Sequence, residues 1–302
     1  MIKSDWAGVF SAITTPFTAS DTVDEAFLGH HVNWLLDRGV RGIVALGSLG
    51  EGGTLDPEEK VQVLMTCREA THGRVPLVAG ISGLGTRECV ELARAAQRTG
   101  CDGLMVLPPY VYLGDKREID AHFSAVLDAT PLSCMLYNNP IAYGTDLTSD
   151  DVGRLVARHD NVHAVKESSG DVRRLTALRA VFGDRLALFA GLDDMALETA
   201  LMGGDGWIAG LVNALPEESV RLFDLARQGR VAEAQRLYEW FLPLLRFDTV
   251  VKFVQLIKLV QAEVGMGSET VRPPRLPLGE EEREAALRVI EDRLARVSAV
   301  SA

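Results

Sequence analysis

Lys166, Tyr137 and Ser48 are the residues of this 302-residue chain best suited to chemistry. Lys166 lies in His163-Ala164-Val165-Lys166-Glu167-Ser168-Ser169-Gly170-Asp171, where a short β-type run gives way to a helix. Tyr137 opens Tyr137-Asn138-Asn139-Pro140 at the end of the strand before it, and Ser48 sits in the glycine-rich stretch Gly47-Ser48-Leu49-Gly50-Glu51-Gly52-Gly53. A lysine amine buried at a strand end can lose its proton and attack the carbonyl of a 2-oxo acid, giving an iminium that draws electrons from the adjacent carbon. At its usual pKa of about 10.4 a lysine is neutral in only about one molecule in a few thousand at pH 7, and each unit removed by apolar walls multiplies that fraction about tenfold. The carbinolamine and carbanion steps need a proton shuttle, which a tyrosine phenol bonded to a hydroxyl such as that of Ser48 supplies. Backbone N–H groups of the Gly47–Gly50 loop can hold the substrate carboxylate without a cation. Singly, these are a solvated strand-end lysine, a packed tyrosine and a turn. Their joint placement at three strand ends carries the functional reading.

For three strand ends to converge, the strands must surround one mouth. Gly8–Phe17, Gly42–Gly47, Pro76–Ser82, Asp102–Pro108, Leu132–Asn138, Val162–Ser168, Leu186–Gly191 and Gly206–Leu211 read as eight strands. Helical patterns alternate with them: Asp24–Arg38, one from Pro57, Thr86–Thr99, Lys116–Ala129, Ser149–Ala157, Asp171–Phe182, Asp194–Met202 and one from Pro216. Continuous apolar strands such as Ile43-Val44-Ala45-Leu46 need cover on both faces, as a parallel sheet flanked by helices provides. Eight such units predict an α/β protein, a (β/α)8 TIM barrel, over residues 1–228. An open doubly wound sheet usually has fewer strands, and the first strand–helix turn carries no GxGxxG fingerprint. Side chains alternate along a strand, so an inward Lys166 takes Ala164 and Ser168 with it, and an inward Tyr137 takes Ser133 and Met135.

Residues 229–302 add helical stretches at Val231–Leu245, Thr249–Val264 and Glu280–Val297. Trp240, Phe241, Leu244, Leu245 and Phe253 predict that this segment packs on the barrel or at a subunit interface. The Pro-rich Arg272–Pro277 stretch reads as a rigid connector.

Apolar residues make up 47% of the chain, enough for a sizeable core, and the net charge of −11 argues against a general nucleic-acid binder. No apolar run approaches the about 18 residues of a membrane helix. Met1–Trp6 lacks a signal-peptide core, and the four cysteines lack CxxC spacing, so buried free thiols and a cytoplasmic location are expected. No cofactor or metal is called for. His30 and His31 are adjacent and cannot both reach one site from a helix face, and Asp193-Asp194 reads as a helix cap. Glu51 reads as structural within its loop and Glu167 as an outward salt-bridge partner. Thr14 and Thr15 end the first strand and border the pocket.

Together these motifs resemble the dihydrodipicolinate synthase / N-acetylneuraminate lyase superfamily of class I aldolases over almost the whole chain. Ala12-Ile13-Thr14-Thr15-Pro16-Phe17 resembles the family's first strand, and Gly47-Ser48-Leu49-Gly50-Glu51 its GxxGE motif. Tyr137-Asn138-Asn139-Pro140 resembles its YNxP motif and Val165–Gly170 its Schiff-base strand, while Gly203-Gly204-Asp205-Gly206-Trp207-Ile208 resembles the lead-in to strand eight. The resemblance implies Lys166 as Schiff-base former, Tyr137 as proton donor and acceptor, and Ser48 as its hydroxyl partner. It places Gly47, Leu49, Thr15, Tyr110 and Ile208 around a small 2-oxo acid, and it implies a homotetramer made of two dimers.

Three departures narrow the reaction. Ala142 stands where the synthase has an arginine that grips its second substrate's carboxylate. Val111 in Pro109-Tyr110-Val111 replaces a tyrosine lent across the dimer, leaving Tyr112 as a possible substitute. Leu49 replaces a second hydroxyl. These changes favour a lyase, dehydratase or deaminase acting on a 2-oxo acid or its cyclic imine, and the GSLGE and YNNP combination resembles bacterial catabolic members, including the 1-pyrroline-4-hydroxy-2-carboxylate deaminase group. The alternatives are dihydrodipicolinate synthase itself, condensing pyruvate with aspartate semialdehyde, and a non-catalytic ligand-binding barrel.

Overall fold

The structure, a computed structural model, describes residues 1–296. Its strands are β1 (Gly8–Ala12), β2 (Gly42–Ala45), β3 (Leu77–Ile81), β4 (Gly103–Val106), β5 (Ser133–Asn138), β6 (Val162–Glu167), β7 (Ala187–Ala190) and β8 (Gly206–Ala209). Each pairs in parallel with its chain neighbours, and β8 pairs with β1. The closed (β/α)8 barrel excludes the open doubly wound sheet. Helices α1 (Glu25–Leu36), α2 (Pro57–Thr71), α3 (Thr86–Arg98), α4 (Lys116–Leu127), α5 (Pro140–Tyr143), α6 (Ser149–Arg158), α7 (Arg173–Phe182), α8 (Ala196–Leu201) and α9 (Pro216–Arg227) follow in order.

Local chemistry starts several of these helices. Pro57 opens α2 behind Asp56, whose N–H donates to Glu59 Oε2 at 3.0 Å. Asp115 and Glu118 cap α4 reciprocally, each backbone N–H donating to the other's carboxylate at 2.9 Å. β1 ends at Ala12, well before the expected Phe17, because the chain turns out of the sheet and Phe17 instead bridges Val23. α8 starts at Ala196 rather than Asp194, since a 3-10 turn over Asp193–Met195 precedes it.

The barrel wall separates two packed layers. Val44, Val78, Met105, Met135, Tyr137, Ala164, Phe189 and Ile208 fill the interior, while Cys134, Leu136 and Val165 pack with the helices, as strand alternation predicts. Trp6 stacks on Phe10, which meets Phe189 edge-on at 5.5 Å, closing the N-terminal end of the barrel. Gly206 makes room for this plug, because a Cβ there would lie 2.2 Å from the Phe189 ring.

Beyond the barrel come α10 (Val231–Leu245), α11 (Phe253–Glu263) and α12 (Glu280–Leu294). The stretch expected as one helix from Thr249 splits into a 3-10 turn over Arg246–Thr249 and α11. Val297, the expected end of the last helix, lies outside the described residues. Trp240, Phe241, Leu244 and Leu245 are buried, and α10 packs against α9 and α12. The Pro-rich stretch is clamped at its start, where Arg272 pairs with Glu59 at 2.6 Å and Asp21 at 3.1 Å.

Candidate active site

Lys166 and Tyr137 are direct register partners on adjacent strands β6 and β5. Both side chains point into the barrel mouth, each only 6% exposed, and Lys166 Nζ lies 4.1 Å from the centre of the Tyr137 ring. Gly191, just after β7, leaves the space that Lys166 needs. A Cβ there would sit 2.9 Å from Lys166 Cε and 1.9 Å from Ser168 Oγ. Ser168 is buried beside Lys166, and its hydroxyl has no protein partner among the described residues.

The end of β5 and the residues after it build the adjoining wall. Asn138 points outward, donating to Glu167 at 3.1 Å and Asp146 at 3.1 Å. Glu167 accepts from Asn138 and from Ser169 N at 2.7 Å, so it is held by hydrogen bonds in place of the expected salt bridge. Asn139 turns back, and its Nδ2 donates to the Tyr137 hydroxyl oxygen at 3.0 Å. That bond occupies an acceptor position of the phenol and leaves its hydrogen free to donate elsewhere. Asn139 Oδ1 also caps α5, accepting from Ala142 N at 3.0 Å. With Pro140 in its first turn and Gly144 left-handed at φ 71°, this one-turn helix is fixed at both ends.

α5 places Tyr143 over the mouth. Its ring stacks on Tyr110 at 5.4 Å and meets Tyr137 edge-on at 5.8 Å. Its hydroxyl bonds Ser48 Oγ. Ser48 thus pairs with Tyr143, not with Tyr137 as expected. Tyr110 reaches Ser48 and Ser82 through its own hydroxyl. Burial and the neighbouring phenols of Tyr137 and Tyr110 push the Tyr143 hydroxyl well above the usual phenol range, and burial raises Tyr110 too.

The glycine-rich loop after β2 is anchored from behind. Glu51, left-handed at φ 54°, accepts from Lys258 of α11 at 2.6 Å and from Arg272 N at 3.0 Å. Thr15 Oγ1 donates to Gly50 O at 2.6 Å, so Thr15 braces the loop rather than lining the pocket with its hydroxyl. Thr14 Oγ1 likewise turns away, to Gln261 Oε1 at 3.0 Å. The Leu49 side chain packs in the layer between barrel and helices. Gly47 faces Met105 in the barrel, and Ile208 belongs to the interior layer.

Two carboxyls lie near Lys166 on the other side. Asp193 accepts from Trp207 Nε1 at 2.9 Å, Gly210 N at 2.9 Å and Leu211 N at 2.7 Å, which ties the β7 loop to the turn after β8. Its carboxylate is therefore spent on that turn rather than on capping a helix. Burial pushes the Asp193 carboxyl up against the pull of these N–H groups and of Lys166, and Asp248 is pushed up by burial and by Asp193. Ala142 and Val111 are exposed, and the Tyr112 hydroxyl donates to Glu118 in the first turn of α4 at 3.0 Å.

The sequence profile described as the Dihydrodipicolinate synthetase family matches residues 5–293. This chain belongs to that family. The 4-hydroxy-tetrahydrodipicolinate synthase of Macrococcus caseolyticus is 31% identical over 294 residues, which is 97% of this chain and 98% of that one. That of Acidobacterium capsulatum is 34% identical over 275 residues, 91% of each chain. The crystal structure of the chloride-inhibited dihydrodipicolinate synthase of Acinetobacter baumannii, complexed with pyruvate, matches with a TM-score of 0.90 at 31% identity, covering 95% of this chain and 98% of that one. Membership of the dihydrodipicolinate synthetase family makes this protein an enzyme, a class I aldolase-type lyase. No helix among its described residues is long and apolar enough to cross a membrane.

Tyr143, Asn139 and Gly191 escaped the sequence reading as site residues. The signal for Tyr143 was Pro140 and Gly144 bracketing a single helical turn, too short for hydrophobic periodicity to register. Asp248 comes from the C-terminal segment and carried no local signal at all.

Proposed function

We propose that this protein is a Schiff-base-forming lyase acting on a small 2-oxo acid or its cyclic imine through Lys166. The observation that carries it is the register pairing of Lys166 and Tyr137, with the amine held over the phenol ring inside the barrel mouth. The Lys166 amine adds to the C2 carbonyl, and the Tyr137 hydroxyl protonates the carbinolamine oxygen so that water leaves and an iminium forms. The N–H groups of Ser48 and Leu49 receive the substrate carboxylate. The iminium then accepts the electron pair released when the C3–C4 bond is cleaved or a C3 proton is removed, and the enamine formed in the second case can push out a leaving group at C4, which departs with its own bonding pair. The unpartnered Ser168 hydroxyl is placed to bond a polar group of the substrate. Four buried, free cysteines support a reducing, cytoplasmic setting.

Borohydride added with pyruvate or another 2-oxo acid should raise the mass of the wild type and leave Lys166→Ala unmodified. Failure of every 2-oxo acid tried to give an adduct would overturn this reading. A second reading, 4-hydroxy-tetrahydrodipicolinate synthase, is favoured by the name its relatives carry at 31–34% identity. Ala142, exposed and without charge at the place of the synthase's arginine, speaks for the first. A coupled assay with pyruvate and aspartate semialdehyde separates the two, since the lyase reading expects little turnover.

A further inference from the structure

Asp248 brings a carboxyl to the barrel mouth from outside the barrel. It lies in the 3-10 turn Arg246–Thr249 between α10 and α11, which packs against the turn Asp193–Met195 after β7. Phe247 packs on the core and Thr249 Oγ1 donates to Arg246 O at 3.0 Å, so Asp248 is held from both sides. Gly210 follows β8 two residues after the interior Ile208, on the side that strand alternation directs into the mouth. A Cβ on Gly210 would lie 2.6 Å from Asp248 Oδ1 and 3.3 Å from Asp193 Oδ2. The two carboxyls therefore meet over this glycine, and like charges so close do not both ionise. The N–H groups of Trp207, Gly210 and Leu211 favour the charged form of Asp193, so the proton of the pair belongs to Asp248. Burial and Asp193 push the Asp248 carboxyl well above the usual carboxylate range, against the pull of Lys166. Ser168, buried and without a partner for its hydroxyl among the described residues, opens this side of Lys166 to a polar group.

We propose that Asp248 is the general acid that protonates a hydroxyl leaving from C4, so that the enzyme eliminates water from a 4-hydroxy-2-oxo acid rather than cleaving its C3–C4 bond. The inference rests on the Schiff-base reading above. The carbinolamine C–O bond breaks as its oxygen takes the Tyr137 proton and leaves as water, while the nitrogen lone pair forms C=N. The Tyr137 phenolate then takes a proton from C3. The C3–H pair forms C2=C3, and the C=N π pair moves to nitrogen. That nitrogen pair returns to C=N, the C2=C3 pair shifts to C3=C4, and the C4–O bond breaks with its own pair. The departing oxygen takes the Asp248 proton and leaves as a second water. A water that adds to C2 of the unsaturated iminium gives a proton back to Asp248. The C2 hydroxyl proton passes to nitrogen as the C–N bond breaks, which frees the unsaturated 2-oxo acid and the Lys166 amine. Cleavage of C3–C4 instead needs a base for the C4 hydroxyl proton, which a protonated carboxyl cannot be.

The test compares 4-hydroxy-2-oxopentanoate with 4-fluoro-2-oxopentanoate, whose fluoride leaves without a proton. Wild type should turn the first into the conjugated 2-oxopent-3-enoate, followed by its ultraviolet absorbance, and release fluoride from the second. Asp248→Asn should lose water elimination by about a hundredfold or more, the lower end of what a positioned acid contributes. The same variant should release fluoride at close to the wild-type rate and still be trapped by borohydride with pyruvate, which shows that it folds and forms the Schiff base. Unimpaired water elimination in Asp248→Asn, or equal losses with both probes, would overturn the acid role alone. So would a wild type that yields pyruvate and acetaldehyde from the hydroxy acid, or one that is trapped with both probes and releases neither group. A wild type that borohydride traps with no 2-oxo acid would overturn the Schiff-base reading and the acid role together.

Discussion

His31 shows how a residue suited to chemistry can serve structure alone. It lies fully buried on α1, with its Nε2 donating to Asn213 O at 2.9 Å and its Nδ1 unpartnered among the described residues. Asn213 in turn donates to Ala12 O at 2.8 Å and accepts from Thr14 N at 3.3 Å, fastening β1 to the turn after β8. Burial lowers the His31 pKa from the ordinary 6.5 to about 4. Between those values the unfolded chain binds a proton that the folded chain refuses, so stability falls as pH drops from about 6.5 toward 4 and is unaffected above. The full loss amounts to about 3 kcal/mol. Urea unfolding at pH 7.5 and pH 4.5 should therefore differ more in wild type than in His31→Gln, which retains a donor for Asn213. Equal acid losses in both would remove His31 from the account. Lys166 differs from His31 in its surroundings, since the space left by Gly191 and the free hydroxyl of Ser168 open beside it.

At the scale of elements, the site depends on a brace from outside the barrel. Lys258 on α11 donates to Glu51 at 2.6 Å, to Thr15 O at 2.9 Å and to Thr270 O at 2.7 Å, and both charged side chains are almost wholly buried. Such a pair contributes little net stability, but removing one partner strands a buried charge. Lys258→Met should cost about 3–5 kcal/mol in urea unfolding and loosen the loop that presents Ser48. A change below about 1 kcal/mol would place Lys258 among ordinary surface lysines. The glycine-rich stretch and Glu51 were legible in the sequence as a loop with a structural acid. Its partner was not, because 207 residues separate Lys258 from Glu51.

For the whole molecule, the rim of the mouth is more apolar than a lone barrel requires. Val111, Leu113 and Ile141 are 89%, 64% and 71% exposed, around the loops that carry Tyr110 and Tyr143. Several large apolar side chains exposed on the loops around one mouth suit an interaction surface. We propose that this face joins two subunits within a homotetramer made of two dimers. Sedimentation velocity should then show Val111→Asp dissociating into smaller species than wild type, while a wild type that runs as a monomer at micromolar concentration would refute the assembly.

The barrel was determined by the sequence itself. Apolar strands with period two, each followed by a helix, have few ways to bury both faces, and closing eight of them in order is one. Lys166, Tyr137 and their shared orientation followed from the same alternation, which is local and survives any tertiary detail. What only the tertiary structure decided is who touches whom across the mouth. Tyr143 rather than Tyr137 bonds Ser48, Thr15 braces a loop, and Asp193 ties the turn after β8. Those contacts join residues on different strand-end loops, whose path is set by caps, glycines and distant anchors such as Lys258, and no periodicity along the chain records them.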